Sequence, residues 1–322
     1  MQIGPIKVSN DNDFYIMGIL NVTPDSFSDG GNYDSVDGAL EHCEFLLSEG
    51  ADIIDIGAES TRPGHEQIST EEEIARLLPI LKAIRVRYPD IAISIDCYRA
   101  ETACAALSAG ADMINDIWGL TYDEDMAAAI AESGAAVCVM HNRSDMNYTD
   151  LISDVKNDLA QMLRRAEKAG IARSQICIDP GIGFAKRIEE NLFVLKHLEE
   201  LQGFDLPILL GTSRKGFLGS LLEGVPADER DVATAATSVI GYEKGCRIFR
   251  VHDVRKTKEA LTVARAILEA EYGLLPITGF FSRRRIWVRN LLYPPNSISI
   301  WRRPSGMTMS TLLSITERPH WK

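Results

Sequence analysis

Among the six cysteines of this 322-residue chain (Cys43, Cys97, Cys104, Cys138, Cys177 and Cys246) there is no Cys-x-x-Cys pair, and most lie in apolar periodic segments. A reduced, cytoplasmic protein fits this better than a disulfide framework or a zinc site. No apolar run approaches the roughly 20 residues that span a bilayer, and residues 1–12 lack the apolar centre of a secretion signal. No membrane partner is therefore expected. Positive charge is in deficit, 34 Lys and Arg against 46 Asp and Glu, for a formal net charge of −12. A general nucleic-acid binder needs a basic footprint, so nucleic acid is not an expected partner. A few local cations in a cleft can still hold an anionic substrate.

What the chain has is repetition. Short runs rich in Ile, Val, Leu and Met fall at 14–20, 53–57, 91–96, 113–116, 136–140, 176–179, 207–211 and 248–251. Apolarity on both faces suits parallel strands covered by helices. The segments between read as amphipathic helices; in the first, Val36, Ala39, Leu40, Cys43 and Leu47 form one stripe, with Asp34 or Ser35 as the N-cap. The joint Gly50-Ala51-Asp52 before strand two recurs as Gly110-Ala111-Asp112 before strand four, and Gly134 and Gly170 close two more helices. Eight such units over about 250 residues match a (β/α)8 TIM barrel. A doubly wound open sheet would gather its polar residues at one switch point. Here they end nearly every strand: Asn21, Glu59, Asp96, Asn115 with Asp116, His141, Asp179, Ser213 and His252. The expected architecture is α/β: one (β/α)8 barrel over residues 1–270, with a hairpin at 3–8 across its bottom.

The pattern stops near Ala270. Residues 271–322 hold eight Arg or Lys, two Glu and no Asp, with three of the four tryptophans. They read as a basic, disordered, dispensable tail. The shift in composition also fits an added or out-of-frame terminus, and Phe280, Phe281, Trp287, Leu291 and Leu292 could form a basic amphipathic segment.

The strand ends carry the chemistry. Residues 21–31 (Asn-Val-Thr-Pro-Asp-Ser-Phe-Ser-Asp-Gly-Gly) are longer than an ordinary βα loop. Glu59-Ser60-Thr61-Arg62-Pro63-Gly64 places an arginine after strand two. Asp96, Asn115 and Asp179 end three apolar strands, where an unpaired carboxylate is costly. Together they suit one flat heterocycle with adjacent N–H donors. Ser213-Arg214-Lys215-Gly216-Phe217 and Arg250-Val251-His252-Asp253 open helices after strands seven and eight, where barrels commonly bind phosphate. His141 is a further candidate; His42, His65, His197 and His320 read as surface residues, and Cys97 as a packed thiol.

Those motifs, in that order from about Tyr15 to Ala270, resemble the dihydropteroate synthases of folate biosynthesis, which are pterin-binding sulfonamide targets. The resemblance implies a transferase joining a pterin diphosphate to p-aminobenzoate. It implies that Asp96, Asn115, Asp179 and Lys215 bind the pterin. Asn21, Arg62, Arg250 and His252 would hold the diphosphate, with Asn21 as ligand of a Mg2+ ion. Phe27, Thr61, Arg62, Pro63, Phe184 and Ser213 would enclose p-aminobenzoate, and Asp29 would order the first two loops. Asp96, Lys215, Arg62 and Asp179 would serve catalysis, and the enzyme would be a homodimer. One departure stands out: many relatives carry Ser where this chain has Gly216, so the p-aminobenzoate carboxylate loses a hydroxyl partner. Related pterin barrels that move methyl groups from methyltetrahydrofolate to a corrinoid are the nearest alternative, but they expel no diphosphate. A non-catalytic pterin-binding module is the other, and it would be expected to lose Asn21, Arg62 or His252.

Overall fold

The computed structural model describes residues 1–9, 13–22, 31–59 and 67–270, the side chains of 31–35 excepted. The expectations placed on Phe27, Asp29, Thr61, Arg62, Pro63, His65, His320 and residues 271–322 lie outside the described residues.

Two short strands, β1 (Gln2–Ile3) and β2 (Ile6–Lys7), pair antiparallel as the expected hairpin. Eight parallel strands then close a barrel: β3 (Tyr15–Asn21), β4 (Ile53–Gly57), β5 (Ala92–Asp96), β6 (Met113–Asp116), β7 (Ala136–Met140), β8 (Ile176–Asp179), β9 (Ile208–Leu210) and β10 (Cys246–Val251). β10 pairs with β3, so the sheet has no free edge. The helices between are α1 (Gly31–Ser48), α2 (Thr70–Arg87), α3 (Ala100–Ser108), α4 (Met126–Ser133), α5 (Leu151–Ala169), α6 (Ile188–Lys196), α7 (Gly216–Leu221) and α8 (Asp231–Glu243); α9 (Val254–Leu268) follows β10.

The repeated Gly-Ala-Asp joint has a physical role. Gly50 and Gly110 take left-handed φ of +98° and +102°, ending α1 and α3. The aspartates that follow then lace strand to strand. Asp52 accepts the Ile16 N–H at 2.9 Å, and Asp112 accepts the Ile93 N–H at 2.8 Å. α5 is built by the same logic: Asp150 caps it through the Ser153 N–H, Gly170 ends it at φ +95°, and Val155, Leu159, Met162, Leu163 and Ala166 form its buried stripe. α1 departs from expectation. It starts at Gly31, so Asp34 and Ser35 lie inside it rather than at its cap.

Strand side chains alternate between two environments, as the two-residue period requires. Ile16, Ile54, Ile93, Val137 and Phe249 face the helices. Tyr15, Met17, Ile53, Ala92, Met113, Cys138, Cys177, Leu209 and Ile248 fill the barrel, closed from below by Ile3 and Val8 of the hairpin. This apolar plug occupies the amino-terminal half of the strands and leaves the other end for polar groups.

Candidate active site

Two residues further along five of the strands, the same inward face turns polar. Asp55 follows Ile53, Ser94 follows Ala92, Asn115 follows Met113, Asp179 follows Cys177, and Arg250 follows Ile248. Arg250 binds two carboxylates of this end: its Nε lies 2.5 Å from Asp55 Oδ2 and its Nη2 2.7 Å from Asp96 Oδ2. Asn115 Nδ2 lies 3.4 Å from the same Asp55 oxygen. The second oxygens, Asp55 Oδ1 and Asp96 Oδ1, are buried and unbonded among the described residues. Leaving a buried acceptor unmatched costs on the order of 1–3 kcal/mol, so a ligand that brings N–H donors to Asp96 is favoured there.

Burial raises the Asp96 carboxyl to about 7; Arg250 opposes the rise and Asp55 adds to it. Burial likewise raises Asp179 to about 6, although Asp179 Oδ1 accepts the Gly181 N–H at 2.6 Å. Burial works against the charge on Arg250, but Asp55 and Asp96 outweigh it and raise its pKa.

These groups open into a cavity of about 770 Å3, also lined by Asn21, Ile117, Met140, Phe184, Lys215, Gly216 and His252. Ile117 and Met140 offer apolar surface next to the polar ends of Asp96, Asn115 and Asp179. Lys215 Nζ sits 4.0 Å above the Phe184 ring. A Cβ on Gly183, whose φ is +83°, would come within 2.8 Å of Lys215 Cδ, so glycine there makes room for the lysine. Ser213 Oγ accepts the His252 N–H at 3.0 Å and lies 2.8 Å from His252 Nδ1. Asp253 caps α9 through the Lys256 N–H. Gly216 opens α7, and the space where its Cβ would stand is empty within 4 Å. A second cavity of about 610 Å3 shares Asn21, Arg214 and His252 with the first and runs on beside α1 and α9.

Asp96, Asn115, Asp179, Lys215, Ser213, Phe184, Asn21, Arg250 and His252 thus share one mouth of the barrel. Two readings of the sequence are corrected. His141 does not line the cavity; it is fully buried and bonded to Asp158 and Lys186. His42, read as a surface residue, is partly buried, stacks on Phe45 and borders the second cavity; burial lowers its pKa. Sequence reasoning also missed Asp55 and Lys186. Asp55 left a signal, an acid inside an otherwise apolar strand, but nothing in its spacing named Arg250 as its partner. Glu59 belongs to a neighbouring network, where it takes Tyr98 Oη at 2.9 Å, Arg99 Nη1 at 2.7 Å and the Ile68 N–H at 3.1 Å.

Residues 17–252 match the family of pterin binding enzymes. The dihydropteroate synthase of Clostridium beijerinckii is 47% identical over 269 residues, covering 83% of this chain and 99% of the relative; that of Bacillus subtilis is 46% identical over 264 residues, covering 82% and 92%. This chain belongs to the dihydropteroate synthase family. The family's solved structures agree with the fold. The Clostridium difficile synthase, determined in the presence of pteroic acid, superposes with a TM-score of 0.79 at 43% identity over 82% of this chain and all of that one. The Xanthomonas albilineans synthase with 4-aminobenzoic acid gives 0.78 at 37% identity, over 82% and 96%. The expected closed barrel and hairpin are therefore the fold of this chain, and these relatives superpose on it over most of its length.

Proposed function

We infer that this chain condenses 6-hydroxymethyl-7,8-dihydropterin diphosphate with p-aminobenzoate, giving 7,8-dihydropteroate and diphosphate in folate biosynthesis. The observation that carries the reading is the union, in one cavity, of buried acceptors and anion-binding groups. Asp96, Asn115 and Asp179 line it together with Lys215, Arg250 and His252. The first set suits a pterin edge rich in N–H donors; the second suits a leaving diphosphate.

In this reading Asp179 and Asn115 orient the pterin, and Lys215 approaches it from the Phe184 side. The C–O bond of the CH2–O–diphosphate group breaks with its electron pair leaving on oxygen. The carboxylates of Asp96 and Asp179 lower the energy of the positive charge that develops on the pterin. The amine nitrogen of p-aminobenzoate forms the new C–N bond and then sheds a proton. Phe184 and Ser213 flank that amine, and Arg62, Thr61, Pro63 and Phe27 are proposed to complete its enclosure and exclude water. His252, Arg250, Asn21 and Arg62 receive the diphosphate.

Asn21 also fits the proposed Mg2+ ion. Its amide oxygen is the hard donor that ion prefers, and a magnesium carried in by phosphate oxygens and water needs few protein ligands. When bound, the ion would neutralise charge on the departing diphosphate.

A homodimer is the proposed assembly, supported by exposed apolar side chains on α6, α7 and α8, among them Phe193, Leu221, Val232 and Ile240. No described helix is long and apolar enough to cross a membrane; the cytoplasm is the proposed location.

The test is incubation with the pterin diphosphate, p-aminobenzoate and Mg2+, following diphosphate release and product mass. Release that requires both the amine and the metal is the expected result. Methyl transfer from methyltetrahydrofolate to a corrinoid, without diphosphate release, would overturn the reading.

A further inference from the structure

Among the residues that line the cavity is a buried lysine that the reaction as described does not use. Lys186 is 7% exposed, and its Nζ has three acceptors: His141 Nδ1 at 2.9 Å, Gly181 O at 3.0 Å and Phe184 O at 3.2 Å. An ammonium group has three protons and no lone pair, so these acceptors match it one for one. His141 Nδ1 must then be the unprotonated ring nitrogen, and the ring hydrogen sits on Nε2, 3.1 Å from Asp158 Oδ2. Burial and the Lys186 charge push the imidazole down to about 3, so it stays neutral at working pH. Burial pushes Lys186 down to about 7 while Asp179 pulls it back up.

The network closes on itself. Asp158 also accepts Arg143 Nε at 2.5 Å, Arg143 lies 4.6 Å from the Tyr148 ring centroid, and Tyr148 Oη donates to Ala185 O at 2.8 Å. Ala185 and Gly181, joined to opposite sides of this circuit, are two ends of one short loop.

That loop, residues 180–185, cannot hold its shape alone. Gly181, Gly183 and Ala185 all have left-handed φ, at +68°, +83° and +45°. For alanine this conformation is strained and persists only where surroundings impose it. A Cβ on Gly181 would lie 1.8 Å from His141 O, so the loop presses directly on the end of β7. The alternating backbone gives the carbonyls of Gly181 and Phe184 to Lys186. On the cavity side the same loop gives the Gly181 N–H to Asp179 and the Phe184 ring to Lys215.

We propose that Lys186 is the positioning residue of this loop, its ammonium aimed by His141 and Asp158 so that Asp179 and Phe184 meet the two substrates in fixed geometry. This rests on the condensation reading of the cavity.

Lys186→Met removes the three donors and keeps the apolar stem out to Cε. The expected result is a KM for p-aminobenzoate and a Kd for the pterin diphosphate that each rise tenfold or more, while kcat falls less than threefold, because the reacting groups remain but are no longer held. A folded variant with both constants within twofold of the parent, or with kcat alone reduced, overturns the proposal. The parent protein supplies a second test that survives a misfolded variant. In histidine-labelled 15N spectra, His141 should remain the neutral Nε2–H tautomer from pH 5 to 8. Titration in that range, or an Nδ1–H tautomer, overturns the arrangement. A parent without condensing activity removes the reading of the cavity; an active parent with an indifferent K186M removes only the role of Lys186.

Discussion

Ser213 holds His252 twice, its Oγ accepting the His252 backbone N–H at 3.0 Å and standing 2.8 Å from the ring Nδ1. Ser213 thereby sets the position of a histidine assigned to the diphosphate. This gives a residue expected beside p-aminobenzoate a second task.

Ser213→Ala should therefore weaken diphosphate binding about tenfold, equivalent to about 1.4 kcal/mol, measured as competitive inhibition by free diphosphate. Affinity for a pterin without the diphosphate should change less than twofold. Equal losses for both ligands would mean a general loosening of the site, and a change confined to the p-aminobenzoate KM would return Ser213 to the simpler role.

Asp179 should make the unliganded protein less stable at alkaline pH. Burial raises its folded-state pKa to about 6, above the unfolded value of roughly 4. The folded state therefore binds this proton more tightly, and ionisation costs stability at every pH above 6. That cost disappears as the pH falls from 6 towards 4. Asp179→Asn keeps an oxygen for the Gly181 N–H and cannot ionise. It should melt a few degrees above the parent at pH 8, on the order of 1–3 kcal/mol, with the gap closing near pH 4, while pterin binding is lost. A variant less stable at pH 8, or a gap that ignores pH, would show that ionised Asp179 is fully compensated in the empty site.

A chain ended at Ala270 should fold and keep its activity. The last described helix ends at Leu268, and the Clostridium beijerinckii relative is matched over 269 residues, 99% of its length. The check is kcat together with the melting temperature, expected within about 2 °C of the full chain. Failure to fold, or loss of most activity in a folded protein, would make residues 271–322 part of the enzyme.

Local rules in the sequence determined the barrel itself. Two-sided apolar runs set the strands, and left-handed glycines at helix ends set the joints. The polar residues Asn21, Asp96, Asn115, Asp179, Ser213 and His252 marked the mouth because each comes as an apolar strand gives way to a loop. A strand places its end at the rim whatever its neighbours are, so these positions could be read one strand at a time. Partnerships were different. That Arg250 bridges Asp55 and Asp96, and that Lys186 reaches past its own loop to His141, depends on which strands closure brings together. Asp55 and Arg250 are 195 residues apart along the chain; they meet because β10 closes against β3, the neighbour of β4. Burial decided the rest. Asp96, Asp179, Lys186 and His141 are ordinary ionisable residues in sequence, and their removal from water in the folded barrel is the largest cause of their shifts.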